Sequence, residues 1–187
     1  MTKWLFNPFT YIAGNKALIL GWLIMLLTAV IAFFSNTHFD GVLDCHYGAR
    51  LPFYVSIVEM LVDWGSLSIS FLVMSFFLSK TNVRYVDILG TLALSRWPLV
   101  FVAIVGLFIT VPAVDKADPL SALTPSVIIG GLISLPFIIW AVALMYNAFT
   151  TSCHLKGSKA VVGFIFGLLL AEALSWYLFT LLHIYKR

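Results

Sequence analysis

The chain has 187 residues, 61% of them hydrophobic and 10% charged, where a soluble domain has about 45–50% and about 25%. Eleven basic against eight acidic side chains give a net charge of +3, too little for the concentrated cationic face that nucleic-acid binding needs, and 16% aromatic residues exclude disorder. So few charges cannot cover a water-soluble globule, and a mean hydropathy of +1.03 leaves an integral membrane protein with the lipid bilayer as its solvent.

A helix crossing about 30 Å of hydrocarbon needs about 20 mainly apolar residues, and the chain offers five such stretches. The first covers 17–35 and lacks Asp, Glu, Lys and Arg. It is longer than a signal-peptide core, and no small-x-small site follows Phe33-Phe34-Ser35, so it reads as a retained span. The loop behind it gathers His38, Asp40, Asp44, Cys45 and His46. Imidazole, thiolate and carboxylate are ligands for zinc or a similar divalent metal. The spacing matches no established zinc motif, however, and a solvated polar loop is the plainer reading.

The second span, 51–79, carries Ser56, Glu59, Asp63, Ser66 and Ser70 at alternating steps of three and four. They share one helix face over about 21 Å at 1.5 Å per residue. An acid at the bilayer centre costs about 2.5–3.5 kcal/mol, so this stripe requires partners or water. Glu172, midway along the fifth span, is the expected neighbour, and clustered carboxylates would hold one another partly protonated. Two readings stay open: acids hydrogen-bonded to other helices, or a water-accessible cavity binding protons or cations.

Residues 83–96 place Arg84, Asp87, Thr91 and Ser95 at helical spacing among apolar residues, which predicts a short amphipathic helix lying in the membrane interface. The third span, 97–114, opens on Arg96-Trp97-Pro98, with proline in the first turn where its missing N–H costs nothing. The fourth, 126–150, contains Pro136, which predicts a kink, and Gly130-Gly131 upstream of it. The fifth, 160–184, has Ala160, Gly163, Gly167, Ala171 and Ser175 in register, a groove that lets a neighbouring backbone approach closely, within the chain or in a homo-oligomer.

The expected fold is therefore all-α, a single polytopic domain over 1–187 with five spans and no separate soluble domain. Lys3, Lys16, Lys80, Arg84, Arg96, Lys156 and Lys159 all fall on one side. Cationic loops stay in the cytoplasm, so the N-terminus is expected there and the C-terminus opposite. The same map puts Cys45 and Cys153 on opposite faces, which precludes a disulfide between them. No nucleotide-binding loop, serine-hydrolase elbow or zinc-protease motif is present, which points away from an enzyme.

Three stretches give the chain a family likeness: Asn7-Pro8-Phe9 before the first span; Arg84-Tyr85-Val86-Asp87-Ile88-Leu89 through Ser95-Arg96-Trp97-Pro98-Leu99; and Ile139-Trp140 onward through Leu155-Lys156-Gly157-Ser158-Lys159-Ala160. In their order, and in five spans with a cytoplasmic N-terminus, the chain resembles the bacterial branch of the Yip1 domain family. That resemblance implies an inner-membrane protein with no assigned chemistry. Eukaryotic relatives associate with Rab-type small GTPases, but their Asp-Leu-Tyr-Gly-Pro signature has no counterpart here. Gly48-Ala49-Arg50-Leu51-Pro52 keeps only a glycine and a proline, and about 16 residues stand where those relatives have a long tail; both departures count against a GTPase partner. The expected role is non-enzymatic, organising or interacting within the membrane. The alternative is a proton- or divalent-cation-handling transporter using Glu59, Asp63 and Glu172.

Overall fold

The computed structural model describes residues 2–79, 82–110, 123–182 and 184. The expected end of the third span at 111–114 lies outside these residues, as do Lys80, Asp115, Lys116, Asp118, Lys186 and Arg187. The chain runs as α1 (Thr2–Phe6), a 3-10 turn (Pro8–Thr10), α2 (Gly14–Ser35), β1 (Thr37–His38), β2 (His46–Tyr47), α3 (Phe53–Leu78), α4 (Tyr85–Ser95), α5 (Leu99–Gly106), α6 (Pro125–Cys153) and α7 (Gly157–Leu182). Among the described residues, five stretches are long and apolar enough to cross a bilayer: α2, α3, the α4–α5 pair taken together, α6 and α7. The fold is that of an all-α polytopic membrane protein, and much of its outer surface consists of exposed leucine, isoleucine, valine and phenylalanine suited to lipid.

The third crossing differs from its expectation. The short helix predicted between the second and third spans exists as α4, but it is packed inside the bundle instead of lying on its surface. Of the Tyr85–Gly106 crossing, 67% of the residues in its most apolar window are buried, against 22–44% in the other four, so this is the central element. Beyond the exposed Arg84 at its start, its polar residues turn to protein partners: Thr91 Oγ1 donates to the Asp87 carbonyl at 2.7 Å and meets Ser152 Oγ at 2.9 Å, while Arg96 reaches into α3. Gly90 is one of the points where α2 crosses closely, for a Cβ there would lie 2.5 Å from the Gly14 carbonyl oxygen. The helix breaks at Arg96–Pro98, where Pro98 precedes α5 and the Leu99 N–H donates to the Arg96 carbonyl.

Around this centre, α2 and α7 lie against α4 and α3 respectively, and α6 packs on α4 and α5. Ala160, Gly163, Gly167, Ala171 and Ser175 are buried along α7, with Gly167 against Phe71 and Met74 of α3 and Gly163 against Leu78. The small-residue groove is thus filled from within the chain. α6 continues as one helix through Pro136. Asn7-Pro8-Phe9 docks beside α6, where Trp140 Nε1 donates to the Leu5 carbonyl at 2.9 Å and Asn147 Nδ2 to the Phe6 carbonyl at 2.7 Å. Cys45 and Cys153 are both free thiols.

Candidate functional site

The polar stripe on α3 faces the bundle interior. Glu59, Asp63, Ser66 and Ser70 are each 0% exposed and Ser56 is 3% exposed, as the three–four spacing dictates once one helix face is buried. Each acid meets a different part of the chain. Glu59 Oε1 lies 3.0 Å from His38 Nδ1, and its Oε2 accepts the Phe39 N–H at 3.2 Å. Asp63 Oδ2 accepts from Arg96 Nη2 at 2.8 Å, in an ion pair whose side chains are 0% and 1% exposed. Glu172 accepts the Leu43 N–H at 3.0 Å.

The loop between α2 and α3 closes over this end of the bundle. Asn36 ends α2 in the left-handed conformation, which a short polar side chain tolerates. The chain then turns into a minimal antiparallel hairpin pairing Thr37 with Tyr47 and His38 with His46, and Phe39 and Val42 are buried beneath it. His38 Nε2 lies 2.9 Å from the Ala49 carbonyl oxygen, and the His38 and His46 ring centroids are 5.3 Å apart. His46 Nδ1 meets Asp40 Oδ1 at 3.1 Å. Asp44 is exposed and Cys45 half-buried. The five loop residues considered as metal ligands therefore divide: His38 points to Glu59 and His46 to Asp40. Among the described residues no group of three or more His, Cys, Asp or Glu side chains is arranged to hold a metal ion.

Burial pushes the Cys45 thiol up to about 12, with the Asp44 and Asp40 charges adding to it, so the thiol stays neutral over the physiological range. The hydrogen bond that His46 donates to Asp40 raises His46 above its ordinary value, although burial opposes it. Burial pushes Asp40 up in turn, but the hydrogen bond and charge of His46 outweigh it and hold the carboxyl below its usual range. The sign for stability follows. A raised histidine contributes fully below its unfolded value of 6.5 and is lost as pH rises through its folded value. A depressed carboxylate contributes above 3.8 and is lost as pH falls through its folded value. Amide hydrogen exchange, corrected for its intrinsic pH dependence, should show residues 37–47 best protected between these limits and progressively less above them; protection that rises steadily past neutral pH would contradict the assignment.

Sequence reasoning missed two participants. Arg96 reads in the sequence as a cytoplasmic-side residue, yet it is the largest fully buried side chain among the described residues; the signal for it is an acid at mid-depth that requires a cation. The other is the Tyr47 hydroxyl, which lies 2.6 Å from Ser134 Oγ of α6 and joins the hairpin to the bundle. Beside this contact is a cavity of about 650 Å³ whose walls include His38, His46, Tyr47, Val127, Gly131 and Ser134. No protein-family model, curated protein or solved structure matches the chain.

Proposed function

We propose that this chain is a non-enzymatic, Yip1-like membrane protein with an organising or interaction role, seated in a bacterial inner membrane with its N-terminus in the cytoplasm. The observation that carries the reading is the use made of the intramembrane acids. Glu59 holds residues 38 and 39, Glu172 holds residue 43, and Asp63 holds the break between α4 and α5. All three stitch the chain to itself, as a rigid platform requires, where a cation carrier keeps its carboxylates convergent on one ion. The stretches behind the family likeness support the same reading: Asn7-Pro8-Phe9 docks on α6, and Arg96-Trp97-Pro98 forms the break in the central crossing.

The reading is tested in two membranes. Reconstituted into vesicles containing pH- and zinc-sensitive dyes, the protein should give no flux above that of protein-free vesicles. In its native membrane, photo-crosslinkers at the exposed Ile129 and Leu132 of α6 should give discrete adducts with particular membrane proteins. Zinc flux abolished by Glu59→Gln would replace the organising role with transport.

A further inference from the structure

The hydrogen-bond geometry at His38 fixes where a proton must sit. Nε2 lies 2.9 Å from the Ala49 carbonyl oxygen, which only accepts, so Nε2 carries a hydrogen. Nδ1 lies 3.0 Å from Glu59 Oε1. A bare ring nitrogen against an ionised carboxylate oxygen would set two lone pairs face to face. One further proton therefore lies between them, on Nδ1 facing a carboxylate or on Oε1 facing a neutral imidazole. In either form the pair is electrically neutral.

This pair is buried, with side chains 4% and 0% exposed, yet it adjoins the surface. His38 and His46 both line the 650 Å³ cavity, and the half-exposed His46 is hydrogen-bonded to Asp40. One to three turns deeper, Asp63 Oδ1, Arg96 Nε and Nη1, and the hydroxyls of Ser66 and Ser70 are buried with no protein partner among the described residues. A native interior leaves few such groups unpaired, and ordered water satisfies them where lipid cannot. Below Ser70 the polar face stops at the Phe71, Phe149 and Phe164 rings, packed 4.6 and 5.6 Å apart. Among the described residues, the charged and titratable groups facing the centre are Asp40, Asp44 and His46 from the loop, Asp63 from α3, Arg96 from the break and Glu172 from α7. Arg96 is a fixed cation that already neutralises Asp63, so a metal ion here would meet repulsion, whereas a proton merely changes its seat within a neutral pair.

We propose that this column is a proton site loaded from the α2–α3 loop: the His38–Glu59 pair holds the proton, His46 and Asp40 exchange it with the surface, and water among Asp63, Arg96, Ser66 and Ser70 extends the site inward. Its ligand is H⁺ and not a metal cation.

The test is nitrogen NMR of ¹⁵N-histidine-labelled full-length protein in nanodiscs, with the His38 signals assigned by their loss in His38→Gln. In the unaltered protein the His38 Nε2 signal should be that of a ring nitrogen bearing hydrogen, as its carbonyl partner requires. Added zinc should leave both of its nitrogens unshifted. Glu59→Gln presents an amide N–H to Nδ1 and should turn that nitrogen into a plain acceptor. Asp40→Asn should slow exchange of the shared proton with deuterium from the solvent on the order of tenfold, since a positioned proton-transfer group contributes at least that much. An unprotonated Nε2, a zinc-induced shift of His38, or exchange unchanged in Asp40→Asn would each overturn the proposal. The first two measurements are made on the native pair and use His38→Gln only to assign its signals, so a misfolded Glu59→Gln does not spare it.

Discussion

Replacing Asp63 with alanine should destabilise the folded protein by about 3–5 kcal/mol, the cost of leaving a buried charge without its partner. Here the stranded charge is Arg96, whose side chain is 1% exposed and whose Nη2 has Asp63 Oδ2 at 2.8 Å. Replacing both members, Asp63→Leu with Arg96→Met, removes the charge together with its counter-charge, and apolar side chains of similar volume often match or exceed such a pair in stability. The double variant should therefore recover most of what the single variant loses. Thermal unfolding followed by tryptophan fluorescence is sensitive enough, since roughly 2–4 °C accompanies each kcal/mol in a chain of this size. The sign separates two physical pictures. Had Glu59, Asp63 and Glu172 crowded one another as bare acids, neutralising Asp63 would relieve repulsion and raise the melting temperature. With Arg96 in contact it should lower it, and a stabilised Asp63→Asn would show that the ion pair does not hold the centre together.

That arginine marks the boundary of what the sequence disclosed. The crossings were legible because apolar runs between charges must lie in hydrocarbon, and α2, α3, α6 and α7 fall where those runs lie. The buried face of α3 was legible because polar residues at steps of three and four on an otherwise apolar helix have one place to go. The third crossing was not. A span that starts with Arg96 reads as a helix anchored at the interface, because an isolated arginine at mid-membrane is costly, and only tertiary contact with Asp63 removes that cost. Once Arg96 is allowed inward, Tyr85–Gly106 is itself a full crossing and α4 no longer belongs at the surface. The loop shows the same limit. His38 and His46 are paired across a hairpin rung with their rings on one face, 5.3 Å apart, so which of them reaches Glu59 depends on how the hairpin is tilted over α3, and no spacing along the chain encodes that choice. Glu172 likewise takes its hydrogen bond from a loop amide while its charge still reaches Asp63, since the rotation of α7 is set by its small-residue groove against Phe71 and Met74.

Gly21→Val should be the most damaging change available on the α2 surface that meets α4. A Cβ at residue 21 would lie 2.5 Å from the Leu94 nitrogen and 2.6 Å from the Ala93 carbonyl carbon, both backbone atoms that cannot turn aside. From the other helix, a Cβ at Gly90 would lie 2.5 Å from the Gly14 carbonyl oxygen and 2.8 Å from the Leu18 nitrogen, so the crossing has a glycine contact on each side. Close backbone approach of this kind is a main source of helix association in lipid, where no hydrophobic effect drives it. Overpacking a well-filled site costs about 1–3 kcal/mol, and valine adds two methyl groups to a Cβ that already does not fit, so the loss should reach or exceed the upper end. The control lies in the same protein. Around Gly131 of α6 a Cβ meets nothing within 4 Å among the described residues, so Gly131→Ala should instead stabilise by roughly 0.5–1 kcal/mol, the usual gain on removing a glycine from a helix interior. Because α4 carries Arg96 at its C-terminal end, a wedge at residue 21 also draws the guanidinium away from Asp63. Gly21→Val should then cost less in the Asp63→Leu/Arg96→Met background than in the native one, a coupling of the kind that contiguous sites show at about 0.5–3 kcal/mol. Strict additivity would mean that α4 can move against α2 without disturbing the buried pair, and that the helix crossing and the polar centre are held independently.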